Sequence, residues 1–444
     1  MGLVIAETKY GFLRGVRKQS YTVFRGVPYA KPPIGQLRWK APEPLEPWDG
    51  IKEAKTFGNK SMQRRPPEGF FYEKEFFADE DFSPPISEDS LYLNVWTAAE
   101  TTEDNLPVAV WIHGGAFAGG YSSEMEFDGA EYCKRGVILV SINYRLGAFG
   151  FLAHPWLSAE AHGASGNYGL LDQIAALRWV RENISAFGGN PEKITIFGQS
   201  AGAISVQSLI NTPRIDGMIA GAIFQSGGGR NSGINIDITL SEMEKVGEDF
   251  VKRSHKTSLE ELRGMAADEI IEVMCSMPTE GVNSGKLNFA PCIDGCVLKQ
   301  GYEESAANGV HPNIPYLAGS TKNDIGSTPE LLAEGKTGAM QQACIEWSYT
   351  NEALGRPPAY VYYFARELLG DNAGAFHSSE LWYMFGTLYR SWRPKTAADY
   401  ALSKLMLDYW CNFIKSGNPN GDGLPRWNPC KKDSPFVMTF DVNM

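Results

Sequence analysis

The chain has 444 residues, 43% of them apolar, and a formal net charge of −11. That is enough apolar side chain for a substantial buried core. Lys and Arg are scattered rather than striped, which argues against nucleic acid or an anionic membrane as a partner.

No low-complexity linker, charge block or internal repeat divides the sequence, so one α/β domain over 1–444 is expected, with inserted excursions at 58–87 and 240–350. The first residues have no basic n-region and no long apolar h-region, and no apolar run is long enough to span a bilayer. Seven cysteines, odd in number and dispersed, predict reduced thiols in a cytoplasm rather than a disulfide framework. Cys292 and Cys296 are close, but no second pair or histidine cluster completes a zinc site, so no metal is expected.

To about residue 100 the chain mixes short strand-like runs with proline-rich turns. Residues 58–87 lack clear periodicity and carry the aromatics Phe70, Phe71, Tyr72, Phe76 and Phe77. They read equally well as a surface loop pinned by its own rings or as an active-site rim. From Pro107 the pattern becomes regular. Val108–Ile112 and Val137–Ile142 are continuous apolar runs of strand length, as expected for strands covered on both faces. Residues 172–184 have helical spacing, and strands are expected at 194–197 and 221–225. Residues 240–275 look helical, 314–319 and 360–364 resume strands, and 397–415 is a long amphipathic helix. Strands alternating with helices imply a mostly parallel sheet wrapped by helices. Nucleotide-binding glycine fingerprints are missing, and no cofactor is expected.

The chemistry concentrates around Ser200, in a run Phe197-Gly-Gln-Ser-Ala-Gly202 between a buried strand and a helix. A Gly-x-Ser-x-Gly turn in that setting exposes a serine hydroxyl above the sheet edge. Such a hydroxyl needs a base oriented by a third group. In an elbow of this kind the chain order is Ser, acid, His, which leaves His255, His311 and His377 as candidate bases. His255 lies in a charged stretch and His311 precedes Pro312 in a polar connection. His377 follows a strand and a glycine-bounded stretch, which places it at the carboxyl end of the sheet and makes it the choice. Asp324, on a loop after a strand, meets the requirement for the acid; Asp294, in an Asp-Gly turn, competes with it. His113-Gly114-Gly115-Ala116 follows a strand directly, so Gly115 and Ala116, with Ala201, are expected to present N–H groups to an oxyanion. His113 itself is expected to be structural.

Together these segments resemble the type-B carboxylesterase family, which includes cholinesterases and bacterial para-nitrobenzyl-type esterases. The resemblance runs through Phe24–Ala30, Glu88–Trp96, Trp111–Phe117, Asn143–Gly147, Gly166–Gln173, Phe197–Gly202, Phe224–Gly227, His377–Gly386 and Trp410–Gly421. It implies the α/β-hydrolase fold, a triad of Ser200, Asp324 and His377, and an oxyanion hole at Gly115, Ala116 and Ala201. Three departures stand out. The family more often has glutamate where Asp324 stands, and aspartate is one methylene shorter, so its loop must come closer to His377. Secreted members carry a disulfide where this chain has Ser90 and the region of Ser61. Cholinesterases place glutamate before the nucleophile, where this chain has Gln199, which weakens the case for a quaternary ammonium substrate.

The function expected is hydrolysis of a small-molecule carboxylic ester through an acyl-enzyme. Gln199, Phe71, Phe76 and Trp382 are candidate substrate contacts, and the aromatic segments 70–77 and 382–392 favour small acyl or aryl esters such as hydroxycinnamates. An amidase or carbamate hydrolase with the same residues, or a non-catalytic binding module, are the alternative expectations.

Overall fold

The computed structural model describes residues 2–278 and 287–442; residues 279–286, within the expected 240–350 excursion, lie outside the described residues. Ten strands form the central sheet. They are β1 (Val16–Arg17), β2 (Thr22–Pro28), β3 (Tyr92–Thr97), β4 (Leu106–Ile112), β5 (Ile138–Ile142), β6 (Gly189–Gln199), β7 (Gly221–Gln225), β8 (Tyr316–Thr321), β9 (Tyr360–Phe364) and β10 (Met438–Phe440). Their spatial order is β10-β9-β8-β7-β6-β4-β5-β3-β2-β1. From β10 to β5 every pairing is parallel, and β3, β2 and β1 continue the sheet antiparallel. Strands Ile5–Thr8, Gly11–Arg14 and Ile51–Glu53 form a separate small sheet.

The two sheet faces are both buried, which is why the strands read as continuous apolar runs rather than alternating ones. Val108, Val110, Ile112, Ile138, Val140 and Ile196 belong to one core cluster. Their neighbours Ala109, Trp111, Leu139 and Phe197 belong to the cluster on the opposite face. The period of two survives as a choice between two dry sides.

Six helices matter for the site and its supports: α1 (Phe71–Phe76), α2 (Tyr168–Asn183), α3 (Ala201–Ile210), α4 (Leu240–Ser254), α5 (Ala339–Ala353) and α6 (Ala397–Ser416). Leu177 and Val180 of α2, Val206 and Leu209 of α3 and Trp347 of α5 fill the first cluster. Met406, Trp410 and Phe413 of α6 fill the second. Helix α6 is bounded as its sequence suggests. The Thr396 hydroxyl accepts the Asp399 N–H, the Asp399 carboxylate accepts the Thr396 N–H, and Gly417 ends the helix at φ 72°.

Two expectations change in detail. The helical stretch at 240–275 is three helices, α4 followed by Leu259–Arg263 and Ala267–Ser276. His255 breaks the first by capping it in a left-handed conformation, φ 55°. The excursion 58–87 contains α1, and its ends meet where Lys60–Ser61 pairs with Ile86–Ser87. There the Ser61 hydroxyl donates to the Tyr144 carbonyl at 2.7 Å and lies 2.9 Å from Ser90 Oγ. All seven cysteines are free. Among the described residues no helix is long and apolar enough to cross a membrane.

Candidate active site

Strands β4 and β6 pair in parallel, with Ile112 opposite Gly198. Strand β5 lies on one side of β4 and β6 on the other, so their carboxyl ends flank a point where the winding reverses, the usual place for a site in an open α/β sheet. The chain leaves β6 into a turn of unusual tightness. Ser200 adopts φ 57° and ψ −127°, and its N–H donates to the Gln225 carbonyl at 2.9 Å. A Cβ at Gly202 would lie 2.1 Å from the Ile112 carbonyl, and one at Gly198 2.5 Å from the Gly202 backbone. Both glycines are therefore required by the close approach of strand and helix. The strained serine is held by a fully buried α3, whose N-terminus begins at Ala201.

The loop after β4 lies against this turn. A Cβ on Gly114 would sit 3.1 Å from Ser200 Cβ. Gly115 (φ 101°), Ala116 (φ 54°) and Phe117 (φ 57°) follow in left-handed conformations, and the Gly115 carbonyl accepts the N–H groups of Ala118 and Gly119. Among the described residues the N–H groups of Gly115, Ala116 and Ala201 have no backbone acceptor. His113 is buried, stacks on Tyr144 at 4.5 Å, and has Nδ1 2.9 Å from the Gly114 carbonyl. Burial lowers its pKa to about 4, so at neutral pH it is an uncharged packing group.

Asp324 and His377 meet beside the serine turn. His377 Nδ1 lies 2.6 Å from Asp324 Oδ1. The carboxylate also accepts the N–H of Ile325 at 2.8 Å and of Thr321 at 3.0 Å. Burial alone would raise the Asp324 pKa, but the His377 charge and hydrogen bond outweigh it, and the carboxyl titrates below its ordinary value. The loop that carries Asp324 is tied to the loop that carries His377. Asn323 N–H donates to the Ala375 carbonyl, and the Asn323 side-chain oxygen accepts the Ala375 N–H, both at 2.9 Å. A Cβ on Gly374 would lie 2.4 Å from that oxygen, so the two loops touch where glycine leaves room.

The other candidate bases and acid are occupied elsewhere. His255 is an exposed helix cap. His311 is buried against Trp347 with Nε2 3.1 Å from Asn351 Oδ1. Asp294 accepts three N–H groups of its own turn, from Cys296, Val297 and Leu298.

Gln199 is buried and places its side-chain Nε2 3.1 Å from His377 Nε2. Of the three aromatic candidates, Phe71 is 39% exposed and packs 4.9 Å from Phe376, next to His377. Phe76 and Trp382 are buried and pack on each other at 5.6 Å inside the second core cluster. Their place is in the core rather than on a rim: both rings are buried among the second cluster.

One carboxyl near the site carried no signal in the sequence analysis. Glu380 is fully buried, and burial together with the Asp324 charge raises its pKa to about 7. Its position three residues after His377, at the head of the apolar run Leu381–Phe385, is the available clue. Among the described residues no group of three or more His, Cys, Asp or Glu side chains is arranged to hold a metal ion.

The carboxylesterase family model matches residues 3–352 and 339–444. The para-nitrobenzyl esterase of Bacillus subtilis (strain 168) is 34% identical over 98% of this chain and 94% of its own length. The cocaine esterase of Homo sapiens is 31% identical over 91% of this chain and 81% of its own. Among solved structures, a PNB esterase superposes with a TM-score of 0.86 at 30% identity, covering 99% of this chain and 96% of the other. Sequence and fold thus converge: the chain belongs to the carboxylesterase family and is an ester-hydrolysing enzyme with the α/β-hydrolase fold.

Proposed function

We propose that the chain is one catalytic domain acting as a serine carboxylesterase, with Ser200 as nucleophile, His377 as general base and acid, and Asp324 as its orienting carboxylate. The observation that carries this reading is the 2.6 Å contact between His377 Nδ1 and a buried Asp324, beside a serine held in a strained elbow. With Nδ1–H donated to Asp324, Nε2 keeps its lone pair and takes the Ser200 proton as Oγ attacks the ester carbonyl. Asp324 then stabilises the imidazolium. The N–H groups of Gly115, Ala116 and Ala201 receive the tetrahedral oxyanion, each worth about 3–4 kcal/mol in the transition state. His377 protonates the departing alcohol, and water repeats the sequence on the acyl-enzyme.

The substrate class is a small acyl or aryl ester, hydroxycinnamates included. The exposed face of Phe71 beside the His377 loop supports an aryl preference. So does a relative named for para-nitrobenzyl esters. Seven free thiols, and a hydroxyl pair at Ser61 and Ser90, suit a reducing cytoplasm.

The test is turnover of para-nitrophenyl acetate, butyrate and octanoate and of methyl ferulate by wild type and Ser200→Ala. Wild-type hydrolysis that falls by about 10⁴-fold or more in the variant supports the assignment. Turnover that survives the substitution removes Ser200 from the mechanism. Cleavage of a matched anilide but of none of the esters would favour an amidase.

A further inference from the structure

His377 stands in the connection between β9 and α6, with few residues of regular structure on either side. The residue after it, Ser378, is buried at φ 81°, a left-handed conformation that a serine holds only when its surroundings impose it. On the N-terminal side the imposing group is Asn323, through its two hydrogen bonds to Ala375. On the C-terminal side it is Tyr72, whose hydroxyl donates to the His377 carbonyl at 3.0 Å.

Tyr72 belongs to α1, a helix of six residues that is far too short to stand alone. Its fixity comes from what it packs on. Buried Glu75 accepts from Arg393 at 2.8 and 3.0 Å and from the Trp392 indole at 2.9 Å. The same Arg393 guanidinium lies 5.0 Å over the ring of Phe376. The Tyr72 ring stacks on Phe76 at 5.7 Å and 13°, and Phe71 meets Phe376 edge-on at 4.9 Å. The excursion therefore delivers a rigidly held hydroxyl to the backbone of the residue that carries the imidazole.

We propose that Tyr72 is a positioning residue for ester hydrolysis: it holds the His377–Ser378 peptide in its strained orientation, and so aims the imidazole between Asp324 and Ser200. The inference rests on the reading of His377 as the base. Tyr72 acts through the backbone of His377 and takes no part in bond making.

The experiment compares wild type, Tyr72→Phe, Ser378→Gly, the double variant and Ser200→Ala in kcat, KM and Tm on para-nitrophenyl acetate. Tyr72→Phe removes one oxygen and keeps the ring stack, so the expected result is a kcat lower by about tenfold with KM and Tm unchanged. Glycine takes φ 81° without strain, so Ser378→Gly should restore most of the lost kcat in the Tyr72→Phe background. Wild-type kcat in Tyr72→Phe, with Ser200→Ala inactive, overturns the inference and leaves the triad reading standing. A kcat that falls only in step with Tm, and is not restored by Ser378→Gly, also overturns it. Activity that persists in Ser200→Ala removes the triad reading itself.

Discussion

Gln199 Nε2 lies 3.1 Å from His377 Nε2, on the same imidazole whose other nitrogen meets Asp324 at 2.6 Å. With Nδ1–H given to Asp324 as the proposed mechanism has it, an amide N–H aimed there occupies the acceptor that Ser200 would need. Among the described residues no hydrogen bond joins Ser200 Oγ to that nitrogen. Under the proposed mechanism Ser200 and the residue before it would thus compete for one acceptor.

Replacing Gln199 by glutamate exchanges this donor for a negative charge beside the imidazole. An opposite charge at that distance favours the imidazolium, so the acidic limb of the kcat/KM–pH profile should move to higher pH. An acidic limb that stays in place would mean that residue 199 does not face the working base. The profile is obtained with para-nitrophenyl acetate over the range in which the enzyme stays folded.

The Asp324–His377 pair predicts a different pattern. Asp324→Asn should keep the fold and lower kcat by about 10⁴-fold, because the amide favours the wrong imidazole tautomer. Asp324→Glu should also lower kcat, although glutamate is commoner in the family. The loop is clamped by Asn323 at a distance set for the shorter side chain. Full activity in Asp324→Glu would show that the clamp yields.

Much of this arrangement was legible in the sequence. Strands 221–225 and 360–364 were read to the residue, because runs buried on both faces carry a strong apolar signal. The expected amphipathic helix at 397–415 is Ala397–Ser416. Where tertiary contacts decide, the signal was absent. Helix α1 owes its existence to Glu75 and Arg393, which are more than 300 positions apart. For Phe76 the loop-pinning and rim readings stay level, and Trp382 reads as a candidate substrate contact, because an aromatic side chain does not declare from sequence which way it faces. The Asn323 clamp has no sequence signature, since any loop asparagine could make its own local turn.

The division between core and rim aromatics can be measured. Trp382→Ala should cost about 3–5 kcal/mol of stability and lower Tm sharply. Phe71→Ala should leave Tm nearly unchanged and raise KM for aryl esters more than for acetate. A Phe71 variant with an unaltered aryl KM would remove that ring from the substrate surface.

A buried carboxyl predicts how stability depends on pH. Glu126 is fully buried next to Glu124. Burial and the neighbouring Glu124 charge raise its pKa well above the ordinary value, while Arg390 opposes the rise. Burial lifts Glu124 to about 7, with Lys60 opposing. The folded state therefore keeps a proton that the unfolded chain releases, so stability is lost as pH rises above the unfolded pKa. Glu126→Gln should have a higher Tm than wild type at pH 8, and the two should converge near pH 4, as calorimetry would read. Parallel curves across that range would place the carboxyl in water.

The excursion that carries α1 leaves and rejoins the body of the protein at one spot, where Ser61 and Ser90 hydroxyls touch. Such a segment resembles a cassette, since its closure entropy changes only slowly with its length, but Phe76 in the second core cluster and Glu75 on Arg393 root it in the body of the protein. Its exchange is therefore not free, and a replacement cassette inherits an obligation at its far end. It must return a hydroxyl to the His377 carbonyl, or bring with it another means of steadying the loop it leans on.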